Sequence, residues 1–369
     1  MADKTLEQFE DLLLSGTPLL DVRAEVEFAE GHLPQATNIP ILNNEERTLV
    51  GTCYKQKGQE AAIELGHQLV SGENKSAKMH AWKNWIQKNP DGVLYCFRGG
   101  LRSRITQAWL QECGFPLPKI SGGYKAVRRF LLDQLQIHIQ NLDFYLLRGP
   151  TGSGKTQLLE KIQMQHPIIN LEDIAKHKGS AFGGILGQQP SQINFENELS
   201  IQLMRIQKKQ WKHCWMESES RLIGHRAIPV SFFEKMQQAP KFLLEVSLDQ
   251  RVENIFQEYI LDQLQKIPQT DQKNYFASLE ASLQSLQKKL GLERYKTLAQ
   301  VLSEAIQSSL QLEKHDPHKE WIRLLLVQYY DPQYQHFQSQ HPEKILHKGS
   351  AEEFLQWVSN GAASSNYDV

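Results

Sequence analysis

The sequence predicts an α/β protein made of two parallel-sheet modules in succession, the second ending in a helical part. Three observations predict it. Short apolar segments alternate with amphipathic ones twice along the chain. One apolar strand runs directly into a glycine- and arginine-rich loop at Cys96, and another runs into a glycine-rich turn at Gly149. Strands alternating with helical patterns are the mark of βαβ units and a parallel sheet. At roughly 100–200 residues per domain, the 369 residues suit two or three domains.

The first module is read over 1–135. Residues 5–14 form an amphipathic helix, and Pro18 to Arg23 a buried strand ending in charge. Glu25 to Glu30 suits one helical turn, broken by Gly31-His32-Leu33-Pro34. Ala36–Ile41 reads as a second strand and Ala61–Gln87 as helix. Gly92-Val93-Leu94-Tyr95 is the strand before Cys96, and a helix from Ser103 to Glu112 follows. A helix over Gly123–Asn141 contains or precedes the junction, which no Gly/Ser-rich linker marks. The second module is read over 136–369: a strand at Phe144–Leu147, a helix from Lys155, and strands at Ile168–Leu171, Cys214–Met216, Ile228–Ser231 and Phe242–Val246. From Asp271 to Tyr330 the pattern is helical, broken at Gly291.

Composition bounds the function. Hydrophobic residues make up 40% and charged residues 22%, as in a soluble globular chain. No run approaches the ~20 apolar residues of a membrane span, and the first residues lack the basic and apolar parts of a secretory signal; the expected location is the cytoplasm, with no membrane partner. Four cysteines, with no CxxC pair, predict free thiols rather than a zinc site. A formal net charge of -1 argues against a protein that coats nucleic acid non-specifically and leaves a local basic face open. The basic runs Lys125, Arg128, Arg129 and Arg205, Lys208, Lys209, Lys212 read first as solvated helix faces.

Residues 149–156, Gly-Pro-Thr-Gly-Ser-Gly-Lys-Thr, satisfy every fixed position of G-x-x-x-x-G-K-[ST], between a strand and a helix. Gly149, Gly152, Ser153 and Gly154 form the turn whose backbone N–H groups and helix N-terminus attract a polyanion. Lys155 is expected to reach a terminal phosphate, and Thr156 is placed to ligate Mg²⁺. The apolar strand ending in Asp that nucleotide hydrolases use for the metal has no clear counterpart. Cys214-Trp215-Met216 before Glu217, and the strand closed by Glu172 and Asp173, are the nearest.

Residues 96–103 read Cys-Phe-Arg-Gly-Gly-Leu-Arg-Ser. Gly99 and Gly100 free the backbone to turn inward, the following helix start adds positive potential, and Arg98, Arg102 and Arg104 add charge. Such surroundings suit a nucleophilic thiolate and a tetrahedral anion better than a dry structural cysteine. The spacing Cys96-x5-Arg102 also fits a phosphatase-type loop, against which stand Tyr95, where such loops often carry His, and the lack of an obvious general-acid Asp just downstream.

Leu20-Asp21-Val22-Arg23, Glu27-Phe28, Gly31-His32-Leu33-Pro34-Gln35-Ala36 and Asn38-Ile39-Pro40 resemble the rhodanese domain, with Gln35 in place of the usual Gly. A rhodanese domain ahead of a P-loop domain is similar to the tRNA 2-selenouridine synthase family. The Cys96–Ser103 and Gly149–Thr156 loops carry that likeness, with Ser121-Gly122-Gly123-Tyr124-Lys125, His177 to Gly183, Gln192 to Glu196, Glu217 to Gly224 and Tyr329-Tyr330-Asp331-Pro332. His177-Lys178 stands where His-Arg is expected.

The resemblance implies a tRNA-modifying transferase that replaces the sulfur of a wobble 5-substituted 2-thiouridine by selenium, with selenophosphate and geranyl diphosphate as co-substrates and no bound prosthetic group. It implies that Cys96 carries selenium or assists its delivery, with Arg98 and Arg102 on the donor, and that the P-loop holds the geranyl diphosphate. His177, Lys178, Ser180, Glu217, Glu219 and Arg221 are further candidates near the P-loop, against a bland role as caps and surface pairs. Tyr124, Tyr329 and Tyr330 are read as core before RNA-stacking residues. An ATP-dependent tRNA sulfurtransferase and a nucleotide-regulated rhodanese-type sensor are the competing readings.

Overall fold

The computed structural model describes residues 3–178, 182, 188–340 and 345–360. The chain folds as two compact units, residues 1–140 with 190–209, and residues 141–189 with 210–369.

The first unit is built on a parallel sheet of β1 (Leu19–Asp21), β2 (Ala36–Asn38) and β3 (Val93–Tyr95) in the order β2-β1-β3. In register, Leu20 faces Thr37 on one side and Leu94 on the other. Successive strand residues point to opposite faces, and both faces are covered. Leu19, Val93 and Tyr95 pack with Phe9, Tyr124 and Val127, whereas Leu20, Val22, Leu94 and Cys96 pack with Trp82 and Trp109. Helices on both sides explain the unbroken apolar strands, since a parallel sheet is buried on both faces.

Two features of this unit differ from the sequence expectation. The helical stretch begins well before Ala61: helices run over Asn44–Leu69 and Gly72–Lys88. The first is capped by Asn43, whose side chain accepts from Glu46 N while Glu46 reaches back to Asn43 N, a capping box legible in Asn43-x-x-Glu46. It is sharply bent at Gly58, whose φ is 86°. The helix Gln192–Lys208, expected in the second module, packs in the first. Its Ile201 and Met204 join the cluster of Phe9 and Leu131, and Ser200 Oγ donates to Leu131 O at 2.7 Å. The helix Gly123–Asn141 offers an apolar stripe for this contact, and chain order does not reveal which stripe a helix will meet.

The second unit carries a five-stranded parallel sheet. Its strands are β4 (Asp143–Arg148), β5 (Ile168–Ile169), β6 (His213–Glu217), β9 (Lys241–Leu244) and β10 (Ile345–Gly349). The order β10-β9-β4-β6-β5 places β4 in the centre, with β5 and β6 on one side and β9 and β10 on the other. The carboxyl end of β4 is therefore a switch point, the crevice where such sheets bind ligands. β7 (Leu222–Ile223) and β8 (Arg226–Ala227) form a separate antiparallel hairpin.

The expected strand at Ile228–Ser231 is instead the approach to a helix, Val230–Gln238. Pro229 caps it, and Phe232 and Met236, one turn apart, are buried. β10 had no sequence expectation. Helices from Leu248 to Gln340 enclose a separate core around Phe276, Leu302 and Ile322. Gly291, at φ 81°, separates two of them as expected, and π-turns interrupt others at Gln257–Leu261 and Leu326–Tyr330. Tyr124 and Tyr329 are core residues, and Tyr330 packs against the same helical cluster as Tyr329. No described helix is long and apolar enough to cross a membrane.

Two candidate anion-binding loops

Cys96 follows β3 and opens the first loop. Its side chain is buried, 2% exposed, and its Sγ lies 3.2 Å from Ser103 Oγ, which in turn donates to Gly100 O at 3.1 Å. The loop is seated on the start of the helix Gly123–Asn141: Tyr124 N donates to Cys96 O and Lys125 N to Phe97 O, each at 2.9 Å. This contact explains Ser121-Gly122-Gly123. Gly123 has φ 61°, and a Cβ there would lie 2.3 Å from Cys96 O and 2.4 Å from Gly99 N. Only glycine tolerates both the left-handed backbone and that approach.

The three arginines of the loop have different fates. Arg98 is exposed above the Phe97 ring and Arg104 is exposed on the following helix. Arg102 is held in a two-pronged pair by Glu27, at 2.6 and 3.1 Å, and Arg47 adds a third contact at 3.0 Å. Burial alone would raise the Glu27 carboxyl, but Arg102 and Arg47 outweigh it and hold it below the usual carboxylate range. Arg102 thus enters the site already paired, and Glu27 joins the predicted site residues as its partner. Its only sequence signal was its place in the Glu27-Phe28 motif.

Asp21 and Arg23 frame the same unit. Their buried pair, at 2.6 Å, extends to Gly31 O at 2.8 Å, with the guanidinium 4.0 Å above the Tyr124 ring. A buried ion pair earns stability only when its remaining donors are satisfied, and here the backbone carbonyl and the aromatic face do so. Asn194 and Asn197 of the helix Gln192–Lys208 bind the backbone of His32, at 2.8 and 2.9 Å. His32 is thereby held at both its backbone N–H and its carbonyl.

The second loop follows β4. Gly154, in the left-handed region, caps the helix Lys155–Ile162. Gly152 sits so close to the helix Leu248–Phe256 that a Cβ would meet Ile255 Cδ1 at 2.6 Å. That helix braces the loop: Arg251 Nε donates to Thr151 O at 2.8 Å and Asn254 Nδ2 to Gly152 O at 2.9 Å. Arg251 is in turn gripped by Asp331, at 2.6 and 3.2 Å, which gives the Tyr-Tyr-Asp-Pro motif a physical role. Arg251, Asn254 and Asp331 were not among the predicted site residues, and their separation in sequence explains why.

At the mouth of this loop Thr156 Oγ1 donates to Glu217 Oε1 at 2.5 Å. Lys155 Nζ lies 3.3 Å from Gly149 O and 3.8 Å from Glu217 Oε2. Pairing of β6 with β4 brings Glu217 to the place where an acidic residue serves a P-loop metal. Ser153 Oγ is buried without a hydrogen-bond partner among the described residues, a donor suited to a phosphate oxygen. Burial first, then the charges of Glu172 and Glu217, push Glu219 well above the usual carboxylate range, against the pull of Lys155.

The remaining predicted residues separate. Burial lowers His177, whose ring lies beside Gly224. Lys178 pairs with Glu258 and sits 5.1 Å above the Tyr259 ring. Arg221 is exposed at the head of the β7–β8 hairpin. Ser180 lies outside the described residues.

Comparison with known proteins agrees with both loops. Residues 5–129 match the rhodanese-like domain, and residues 142–365 match the tRNA 2-selenouridine synthase AAA domain. The chain belongs to the tRNA 2-selenouridine synthase family. The family member of Alcanivorax borkumensis is 44% identical over 365 residues, 98% of this chain and 100% of the relative. Those of Marinobacter nauticus and Shewanella halifaxensis are each 41% identical, over 95% and 96% of this chain and 96% and 97% of theirs. Family membership makes this chain an enzyme, with a rhodanese domain followed by a P-loop-type domain.

Proposed function

We propose that this member of the tRNA 2-selenouridine synthase family converts 5-substituted 2-thiouridine at the tRNA wobble position to 2-selenouridine in two steps. In the first, the sulfur attacks C1 of geranyl diphosphate, the C–O bond breaks, and diphosphate leaves with the bonding pair. In the second, a selenium nucleophile adds at C2 of the base and geranylthiolate leaves. S-geranylation turns an unreactive thiocarbonyl into a bond with a competent leaving group.

The observation that carries this reading is the coexistence, in one chain of this family, of a thiol beneath a glycine–arginine loop and a P-loop whose Thr156 meets Glu217. The P-loop suits the diphosphate: backbone donors, Lys155 and the unpartnered Ser153 hydroxyl meet its oxygens. Thr156 and Glu217 would hold a Mg²⁺ ion, which supplies charge neutralisation for the leaving diphosphate.

At the other loop, Arg98 and the loop backbone suit selenophosphate. Attack of the Cys96 thiolate on phosphorus breaks the P–Se bond, releases hydroselenide with the bonding pair, and leaves an S-phosphocysteine for water to cleave. This route needs no oxidant, whereas transfer of selenium itself onto the cysteine sulfur would.

The test is nucleoside mass spectrometry of 2-thiouridine-containing tRNA incubated with each donor alone and with both. Geranylated nucleoside with geranyl diphosphate, converted to selenated nucleoside on adding selenophosphate, is expected. The Thr156–Glu217 pair also suits nucleotide hydrolysis, so an ATP-dependent sulfurtransferase is the second reading. ATP consumption with no modified nucleoside would favour it.

A further inference from the structure

The first unit contains a cleft of about 620 Å³ that neither loop accounts for. Its walls are the bent helix Asn44–Leu69 and the helix Leu101–Glu112, with Val50, Ile63, Ile105 and Trp109 among the lining side chains. The bend at Gly58 breaks the long helix into two arms, and lining residues come from both. The volume lies within the ~300–1,000 Å³ of small-molecule sites, which are mostly apolar with a few polar groups at set places.

Three observations specify the occupant. The cleft opens at the cysteine loop, because Leu101 and Arg102 of that loop line it. Its floor is continuous with the packing of the thiol, since Ile41, Leu42, Val70 and Trp109 share one buried cluster with Cys96. Its two arginines, Arg47 and Arg102, both turn to Glu27, and Lys55 is a further, exposed cation of the lining. The wall between these groups is apolar, through Val50, Ile63, Ile105 and Trp109, which suits a branched hydrocarbon.

We infer that this cleft holds the geranyl group of S-geranyl-2-thiouridine while selenium displaces it. The inference rests on the two-step reading above and adds a second binding place for the isoprenoid, in the rhodanese unit. The C2–S bond then breaks beside the cysteine loop, and geranylthiolate departs with the bonding pair into an apolar slot, to be protonated there or at its mouth. Tethering the leaving group through its hydrocarbon positions the base for attack, so binding energy from the remote chain appears in the rate of the second step.

The experiment uses full-length protein and tRNA prepared chemically with S-geranyl- or S-methyl-2-thiouridine, with selenophosphate as donor. Wild type is expected to selenate the S-geranyl substrate at least about tenfold more efficiently than the S-methyl one. Ile63→Trp, which fills the cleft, is expected to erase that preference while S-methyl turnover and the geranylation of 2-thiouridine persist. Ile63→Ala, which only removes bulk from a helix, is expected to gain on an S-farnesyl substrate, so the test does not depend on the tryptophan variant folding. If both variants keep the wild-type order of geranyl, methyl and farnesyl, the cleft is not the isoprenoid site. If wild type selenates no S-geranyl tRNA at all, the two-step reading fails, and this inference fails with it.

Discussion

The two loops solve a similar problem by different means. Each is a glycine-rich turn between a parallel strand and a helix, and each is braced by a helix distant in sequence. The cysteine loop rests on the start of the helix Gly123–Asn141 through hydrogen bonds to Cys96 O and Phe97 O, whereas the P-loop is gripped by Arg251 and Asn254. Their charges are handled in opposite ways. Arg102 is neutralised locally by Glu27, so that loop relies on backbone, exposed Arg98 and a thiol. The P-loop keeps Lys155, Thr156 and Glu217 together at its mouth, an arrangement for a highly charged ligand and a cation. On the proposed reading, one loop serves a nucleophile and the other a leaving group.

That contrast is broken or sharpened most directly by exchanging the loss. Cys96→Ala is expected to lower selenation by roughly 10³-fold while geranylation continues. Lys155→Ala is expected to lower geranylation by about 10²–10³-fold while selenation of pre-geranylated tRNA continues. Nucleoside mass spectrometry of both variants reads this, and equal losses of both steps in each variant would dissolve the division of labour.

Gly123→Ala asks whether the cysteine loop depends on its backbone seat. The added methyl must displace the loop or the helix, at a cost of about 2–4 kcal/mol. Chemical denaturation of the purified variant measures it, with selenation expected to fall before geranylation. Unchanged stability would mean that the close approach relaxes freely.

Acid separates the helical core from the loops. His318 is fully buried, accepts from Trp321 Nε1 on Nδ1 at 2.9 Å, and is lowered by burial, then by His315, to about 4. Because the folded value lies below the unfolded one of ~6.5, the unfolded chain binds this proton first. The stability is fully present above about pH 6.5 and is lost as pH falls towards 4, on the order of 3 kcal/mol in all. His318→Gln should flatten that part of the stability–pH curve, and an unchanged slope would count against it.

Arg251→Ala is expected to cost about 2 kcal/mol, because Asp331 is partly exposed and recovers some solvation, and to raise KM for geranyl diphosphate more than it lowers kcat. The smallest effect is expected at Arg47→Ala, under 1 kcal/mol, since Arg47 is 46% exposed and Glu27 keeps Arg102. A large loss of selenation there would show that the outer contact, too, orders the cysteine loop.

The sequence by itself determined both loops, the alternation of strands and helices that makes each unit an α/β fold, and the family. Those signals are local: a turn needs glycine at set positions, a buried parallel strand needs a continuous apolar run, and a helix needs its cap. Tertiary structure alone decided which partners meet. Glu217 carries no strand-end Asp signature, yet the pairing of β6 with β4 puts it on Thr156. Arg251 and Asp331 are 80 residues apart and hold one loop between them. The helix Gln192–Lys208 lies beyond the P-loop in sequence and packs in the first unit. A periodic pattern shows that a helix has an apolar stripe, but the stripe is non-directional, and only the folded chain selects the surface that buries it.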